Sequence, residues 1–147
     1  MKKLLSKFLL CCMVLGLMVS PVYAAEAKAD SDVTVIEFSD GFTIEISTST
    51  SYNFRANSTI GYKTAVAKAG GREVGSATLI ATFEYNGSTA WVTDTDYTKT
   101  TVNGCTYSHG GITTSGNRAS MSGTFYYGGA SYPFSISLTC SGSGTIS

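Results

Sequence analysis

The sequence is poor in the residues that most metal and cofactor sites use. Among its 147 residues it has one histidine, His109, and four cysteines, none of them in a C-x-x-C pair. One histidine with two cysteines is an incomplete zinc set, and a redox-active pair is expected to use the C-x-x-C spacing. No glycine-rich phosphate loop precedes a helix. We therefore predict neither a metal site nor a cofactor.

The N-terminal segment predicts export. Residues 1–3 carry two lysines, and residues 8–19 form an uncharged run that is shorter than the ~20 apolar residues needed to span a bilayer. Residues 22–24 place small side chains at the positions that signal peptidase recognises. We predict a signal peptide over 1–24 and a secreted chain with no membrane span after cleavage. The alternatives are cleavage after Ala27 and a retained membrane anchor.

Removal of this segment changes the charge of the chain. Three of the ten basic residues leave with it, so seven remain against ten acidic residues and the net charge becomes −3. Surfaces that bind nucleic acid or anionic membranes need clustered lysine and arginine. The mildly acidic secreted chain therefore argues against both partners.

Cleavage also leaves Cys105 and Cys140 as the only cysteines. An even number of cysteines in an oxidising compartment favours a bridge. We predict a structural disulfide between Cys105 and Cys140. A redox-active or metal-binding pair is the alternative, and no spacing supports it.

The secreted part is predicted to be one all-β domain. Residues 25–32 are small and charged, which is typical of a disordered lead-in, and residues 33–147 alternate with a period of two. Ser39-Asp40-Gly41 and Asn86-Gly87 predict hairpin turns, and Gly128-Gly129 marks the end of a strand. Short strands separated by glycine-rich turns predict an antiparallel β-sandwich of immunoglobulin-like type with one disulfide.

The returning strand of the last hairpin has the clearest alternation in the chain. It predicts one buried face that ends at Cys140, and Pro133 on the opposite face suggests an edge position. One detail departs from the immunoglobulin pattern. The core tryptophan of immunoglobulin domains lies between the two cysteines, whereas Trp91 precedes both. The buried face is formed by Tyr132, Phe134, Ile136, Leu138 and Cys140.

Several stretches resemble small uncharacterised secreted proteins of Gram-positive anaerobic bacteria. These stretches are Gly61–Ala65, Phe83–Ser88, Ser115–Ala119 with Gly123–Phe125, and the ending Leu138–Ser141 with Gly144–Ser147. The resemblance covers about residues 60–147. It implies a secreted immunoglobulin-like fold and no established activity. Members of this group often carry a cysteine near the position of Trp91, which this chain lacks.

His109 with Asp94 or Asp96 is the one combination that suggests catalysis. A hydrolase would need the imidazole within hydrogen-bond reach of a carboxylate in a cleft. Asp94 and Asp96 share one side of an extended segment, where such a pair also suits Ca²⁺, although no loop with further ligands follows. We expect a hydrogen-bonded histidine at a strand end and a solvated polar turn, so no catalytic residue is assigned.

Aromatic side chains are the other candidates for function. Nine tyrosines and one tryptophan among many serines and threonines form a surface able to stack on sugar rings. We expect Trp91, Tyr126 and Tyr127 to be the possible ligand-binding residues. The leading hypothesis is a non-catalytic extracellular or cell-envelope binding module for a carbohydrate or a protein. The alternatives are the small secreted hydrolase and a secreted bacteriocin-like protein.

Overall fold

The computed structural model describes residues 32–52, 57–102 and 104–147. The predicted signal peptide and nearly all of the predicted lead-in lie outside this part of the chain. The described residues form strands and turns, and none of them forms a helix long and apolar enough to cross a membrane. The eight strands are β1 (Thr34–Glu37), β2 (Thr43–Tyr52), β3 (Ser58–Ala69), β4 (Arg72–Tyr85), β5 (Ala90–Thr101), β6 (Thr106–Ser115), β7 (Arg118–Tyr127) and β8 (Ala130–Thr139).

Five strands form the larger antiparallel sheet, in the order β1-β2-β3-β4-β5. Its hairpins follow the turn chemistry of the sequence. Asp40 accepts a hydrogen bond from the amide of Phe42 at 3.1 Å in the first turn, and Asn86 accepts bonds from two following amides in the last. Gly87 adopts φ +91°, which a side chain would oppose. The predicted hairpins at both turns are confirmed.

The smaller antiparallel sheet has the order β6-β7-β8. Strand β8 lies at its edge, where the missing amide hydrogen of Pro133 costs no ladder bond. The predicted inward face of β8 is confirmed, since its alternate residues from Tyr132 to Cys140 are all buried. The C-terminal residues extend this edge, because the backbones of Thr139 and Ser147 exchange two hydrogen bonds of 2.9 Å.

The two sheets pack face to face around one apolar core. Small residues allow the close approach, since a methyl group on Gly75 would meet Phe125 at 3.1 Å and one on Gly61 would meet Leu138 at 3.2 Å. The all-β class and the two antiparallel sheets predicted from the sequence are both present. The largest fully buried side chains are Phe83, Phe125, Ile44, Leu79, Met121, Leu138, Val74, Thr59 and Cys140.

The connectivity does not support an immunoglobulin-like fold. Every hydrogen-bonded neighbour in both sheets is also the next strand in sequence. Immunoglobulin domains instead use Greek-key connections, in which strands cross between the sheets. Trp91 also departs from that fold, because it is 39% exposed and lies outside the core.

The predicted Cys105–Cys140 disulfide is absent, and both cysteines are buried free thiols. Cys140 lies beside the β6–β7 turn, where its amide donates to the carbonyl of Asn117 at 3.0 Å. Cys105 precedes Thr106, which pairs with Tyr126 at the other end of β7. Nine residues of strand separate these ends by roughly 30 Å. A bridge needs Cα atoms closer than about 7 Å, so the pairing predicted from the even number of cysteines is not found.

Candidate functional site

The most distinctive surface of the described residues surrounds Trp91 on the outer side of the larger sheet. Cross-strand pairs define it. Glu84 lies opposite Trp91, and Thr82 lies opposite Asp94. Because directly opposed residues share a face, these side chains all point away from the core. We call this surface the Trp91 face, and it comprises Ile60, Tyr62, Ile80, Thr82, Glu84, Trp91, Asp94 and Asp96.

A β-bulge in β5 assembles this face. Strict alternation would put Trp91 and Asp94, three residues apart, on opposite sides of the sheet. The register shifts between Thr82 and Phe83, so that Phe83 pairs with Val92 and Thr82 pairs with Asp94. The residue left over is Thr93, whose hydroxyl donates to the carbonyl of Thr82 at 3.3 Å. The extra residue turns the indole to the side that carries the carboxylates.

Three exposed carboxylates lie on the same side of the sheet as the indole: Glu84 is directly opposite it, and Asp94 and Asp96 follow along β5 opposite Thr82 and Ile80. Asp94 accepts a hydrogen bond from the amide of Thr95 at 2.9 Å, and Asp96 accepts one from the amide of Tyr97 at 2.7 Å. Each aspartate uses one oxygen in this bond, which fixes the orientation of the carboxylate. Carboxylate oxygens can accept several hydrogen bonds, so these groups retain capacity for hydroxyl donors of a ligand.

Next to the Trp91 face, hydroxyl groups continue across the same side of the sheet. The hydroxyls of Thr64 and Thr78 lie 2.9 Å apart, and those of Ser76 and Thr100 lie 2.7 Å apart. These pairs lie on β3, β4 and β5, so the outer surface of the sheet presents hydroxyl groups that can donate and accept hydrogen bonds. The surface is therefore polar, with an apolar centre at Ile80.

Tyr126 and Tyr127 do not join Trp91. The amide of Val92 donates to the carbonyl of Gly116 at 3.0 Å, so the start of β5 lies at the β6–β7 turn. Tyr126 is ten residues further along, roughly 30 Å away at strand spacing. Tyr127 lines a separate cleft of about 230 Å³ near the β1–β2 turn. The three predicted aromatic residues therefore do not form one site.

His109 does not meet the carboxylates that a hydrolase would require. Its ring stacks on Tyr97, with centroids 3.9 Å apart, and its Nδ1 lies 3.4 Å from the Tyr107 hydroxyl. Tyr97 lies opposite Leu79 on the core side of β5, whereas Asp94 and Asp96 point outward. Asp94 and Asp96 accept hydrogen bonds from backbone amides instead. The sheet therefore separates His109 from both carboxylates.

No group of three or more metal-ligating side chains occurs within the residues that the structure describes. On the Trp91 face, Asp94 and Asp96 come nearest to such a group. Each of their carboxylates accepts a hydrogen bond from a backbone amide. Burial raises the pKa of the Cys105 and Cys140 thiols, which keeps them protonated and poor metal ligands.

Glu84 is a member of the site that no motif in the sequence singled out. A signal for it existed, because counting outward from the Asn86–Gly87 turn pairs Tyr85 with Ala90 and Glu84 with Trp91. The bulge at Thr93 had no such signal. A glycine at that position would have indicated a bulge more clearly, but the residue there is a threonine.

Comparison with known proteins finds no matching family model, no similar curated protein and no similar solved structure.

Proposed function

We propose that this protein is a secreted, non-catalytic binding protein whose Trp91 face recognises a carbohydrate of the cell envelope or its surroundings. The observation that carries this proposal is the bulge at Thr93. It brings an exposed indole onto the same face as Glu84, Asp94 and Asp96. A regular strand would have placed the indole on the other side of the sheet.

The chemistry of this face suits a sugar better than an apolar or an anionic ligand. A pyranose ring has one face of C–H groups, which packs on a flat indole, and a rim of hydroxyls. The carboxylates of Glu84 and Asp94 accept hydrogen bonds from such hydroxyls. Three negative charges would repel an anionic polymer, so the proposed ligand is a neutral or amino-bearing polysaccharide.

A binding role also fits the shape of the surface. Catalytic groups need a cleft that brings an acid and a base together and excludes water. The Trp91 face is an open sheet surface, and its carboxylates are exposed. The proposed function is therefore binding of a polysaccharide chain along the sheet, without its cleavage.

Retention of the purified protein on insoluble chitin, cellulose and peptidoglycan tests this proposal. We expect at least one polysaccharide to retain it, and Trp91→Ala to weaken retention by about 30-fold, as for loss of a central aromatic anchor. Tyr126→Ala is the matched control, since Tyr126 is 44% exposed and Trp91 39%. It should bind like the unmodified protein.

Two outcomes would contradict the proposal. One is equal retention of the Trp91→Ala and Tyr126→Ala variants, which would place binding elsewhere. The other is release of reducing ends from the polysaccharide at enzymatic rates, which would show a hydrolase. Failure of every polysaccharide to retain the protein would remove the carbohydrate assignment.

A further inference from the structure

Lys63 is a positive charge that points toward the core side of the larger sheet. It lies opposite Thr48 on β2 and opposite Leu79 on β4. Leu79 is fully buried, and opposed residues share a face, so Lys63 lies on the core face too. Inward charges protect some edge strands from pairing, but β3 is the middle strand of five. Edge protection therefore does not explain this lysine.

The ammonium group of Lys63 has no acidic partner among the described residues. The ion pair found there joins Lys68 to Glu45 at 2.6 Å on the outer face. Burial lowers the pKa of Lys63, and the positive charge of Arg118 lowers it further. A partly buried cation without a counter-ion costs free energy, so the region attracts an anion.

Lys63 opens into a groove of about 530 Å³. The groove runs between the inner side of β1 and β2 and the C-terminal residues paired with β8. Ile46 and Ile146 supply apolar wall, while Thr48 and Thr50 supply hydroxyls. Asp32 also lines the groove and forms no ion pair with Lys63. The volume lies in the usual range of small-ligand sites.

We infer that this groove binds a small organic anion, with its carboxylate or phosphate group on Lys63 and its apolar body between Ile46 and Ile146. The threonine hydroxyls donate to the remaining anion oxygens. This site is independent of the Trp91 face, because Lys63 points to the inner side of the sheet and Trp91 to the outer side.

Amide chemical shifts of the purified protein, titrated with sodium hexanoate, inorganic phosphate and neutral 1-hexanol, test the inference. We expect hexanoate or phosphate to shift the amides of Thr48 and Thr50 in a saturable way. The neutral alcohol should bind at least about tenfold more weakly, since it lacks the charge-assisted bond. A stronger response to hexanoate identifies a carboxylate ligand, and a stronger response to phosphate identifies a phosphate ligand.

Two variants separate the site from general charge effects. Lys63→Met should abolish the saturable shifts, and Lys63→Arg should retain them because it keeps the charge. Lys68→Met is the matched control, since Lys68 lies on the same strand with its side chain outward, and it should respond like the unmodified protein. The inference is overturned if no anion shifts groove amides, if Lys63→Met binds anions as well as Lys68→Met, or if 1-hexanol binds equally well.

Discussion

The hydroxyl of Tyr132 donates a hydrogen bond to the carboxylate of Asp40. Asp40 lies in the β1–β2 turn of the larger sheet, and Tyr132 lies on β8 of the smaller one. The ring of Tyr132 also stacks on Phe42, with centroids 3.6 Å apart. One tyrosine therefore fastens the two sheets at this end of the molecule through both its ring and its hydroxyl.

This contact predicts a defined pH dependence of stability. The hydrogen bond from Tyr132, followed by that from the Phe42 amide, lowers the pKa of Asp40 below its ordinary value of 3.8. The stabilisation that ionised Asp40 contributes is then complete above pH 3.8, and it is lost as the pH falls through the lower pKa of Asp40 in the folded protein. The same bond raises the pKa of Tyr132 from 10.0 to about 12, so its contribution is present below pH 10 and is lost as the pH rises toward 12.

Thermal unfolding of Tyr132→Phe tests this dependence. We expect a lower Tm than that of the unmodified protein between pH 5 and 9, and a difference that shrinks toward pH 2 and toward pH 12. Tyr126→Phe, at an exposed tyrosine, serves as the control and should leave Tm unchanged. A Tm difference for Tyr132→Phe that is constant from pH 2 to pH 9 would contradict the role of Asp40.

Close packing at Gly123 predicts a second effect on stability. A methyl group there would lie 2.5 Å from the hydroxyl oxygen of Tyr107 on the neighbouring strand and 2.6 and 2.8 Å from two of its ring carbons. We expect Gly123→Ala to destabilise the fold by about 1–3 kcal/mol, as overpacking does. Denaturant unfolding measures it, with the exposed neighbouring substitution Ser122→Ala as the control.

The Tyr107 ring is the specific obstacle, so a double substitution isolates it. Gly123→Ala combined with Tyr107→Ala should be less destabilised than the sum of the two single changes. Strict additivity would show that the glycine is required for another reason.

The free thiols predict a simple chemical result. Alkylation of the unfolded protein without reductant should modify the peptides containing Cys105 and Cys140. In the folded protein both thiols should react slowly, since they are buried and burial raises their pKa. Recovery of a peptide pair linked through Cys105 and Cys140 would contradict the strand arrangement at both ends of β7.

The export prediction has its own direct measurement. N-terminal sequencing of protein recovered from the culture medium should begin at Ala25, or at Lys28 if cleavage follows Ala27. Protein that stays in the membrane fraction with Met1 intact would contradict export by cleavage.

Local patterns determined the hairpins and the buried face of β8. The Asn86–Gly87 turn and the alternation that ends at Cys140 depend on neighbouring residues, so the sequence showed them directly. The positions of Cys105 and Cys140 could not be predicted in this way, because an even number of cysteines says nothing of where each lies along the sheet, which depends on the register of three strands.

The candidate site was predictable only in part. The sequence indicated Trp91 and the shared side of Asp94 and Asp96, but the Thr93 bulge that unites them is a feature of pairing between β4 and β5. Lys63 had a readable signal that was missed. It replaces an apolar residue in the inward series of small residues Gly61, Ala65 and Ala67.

The most direct test of carbohydrate binding uses the fact that Trp91 is the only tryptophan of the chain. Its fluorescence therefore reports the Trp91 face alone. Titration with soluble oligosaccharides of chitin and cellulose, and with peptidoglycan fragments, should shift its emission to shorter wavelength and saturate, because a stacked sugar removes water from the indole. Retention by a polysaccharide whose oligosaccharides leave the emission of Trp91 unchanged would contradict the account.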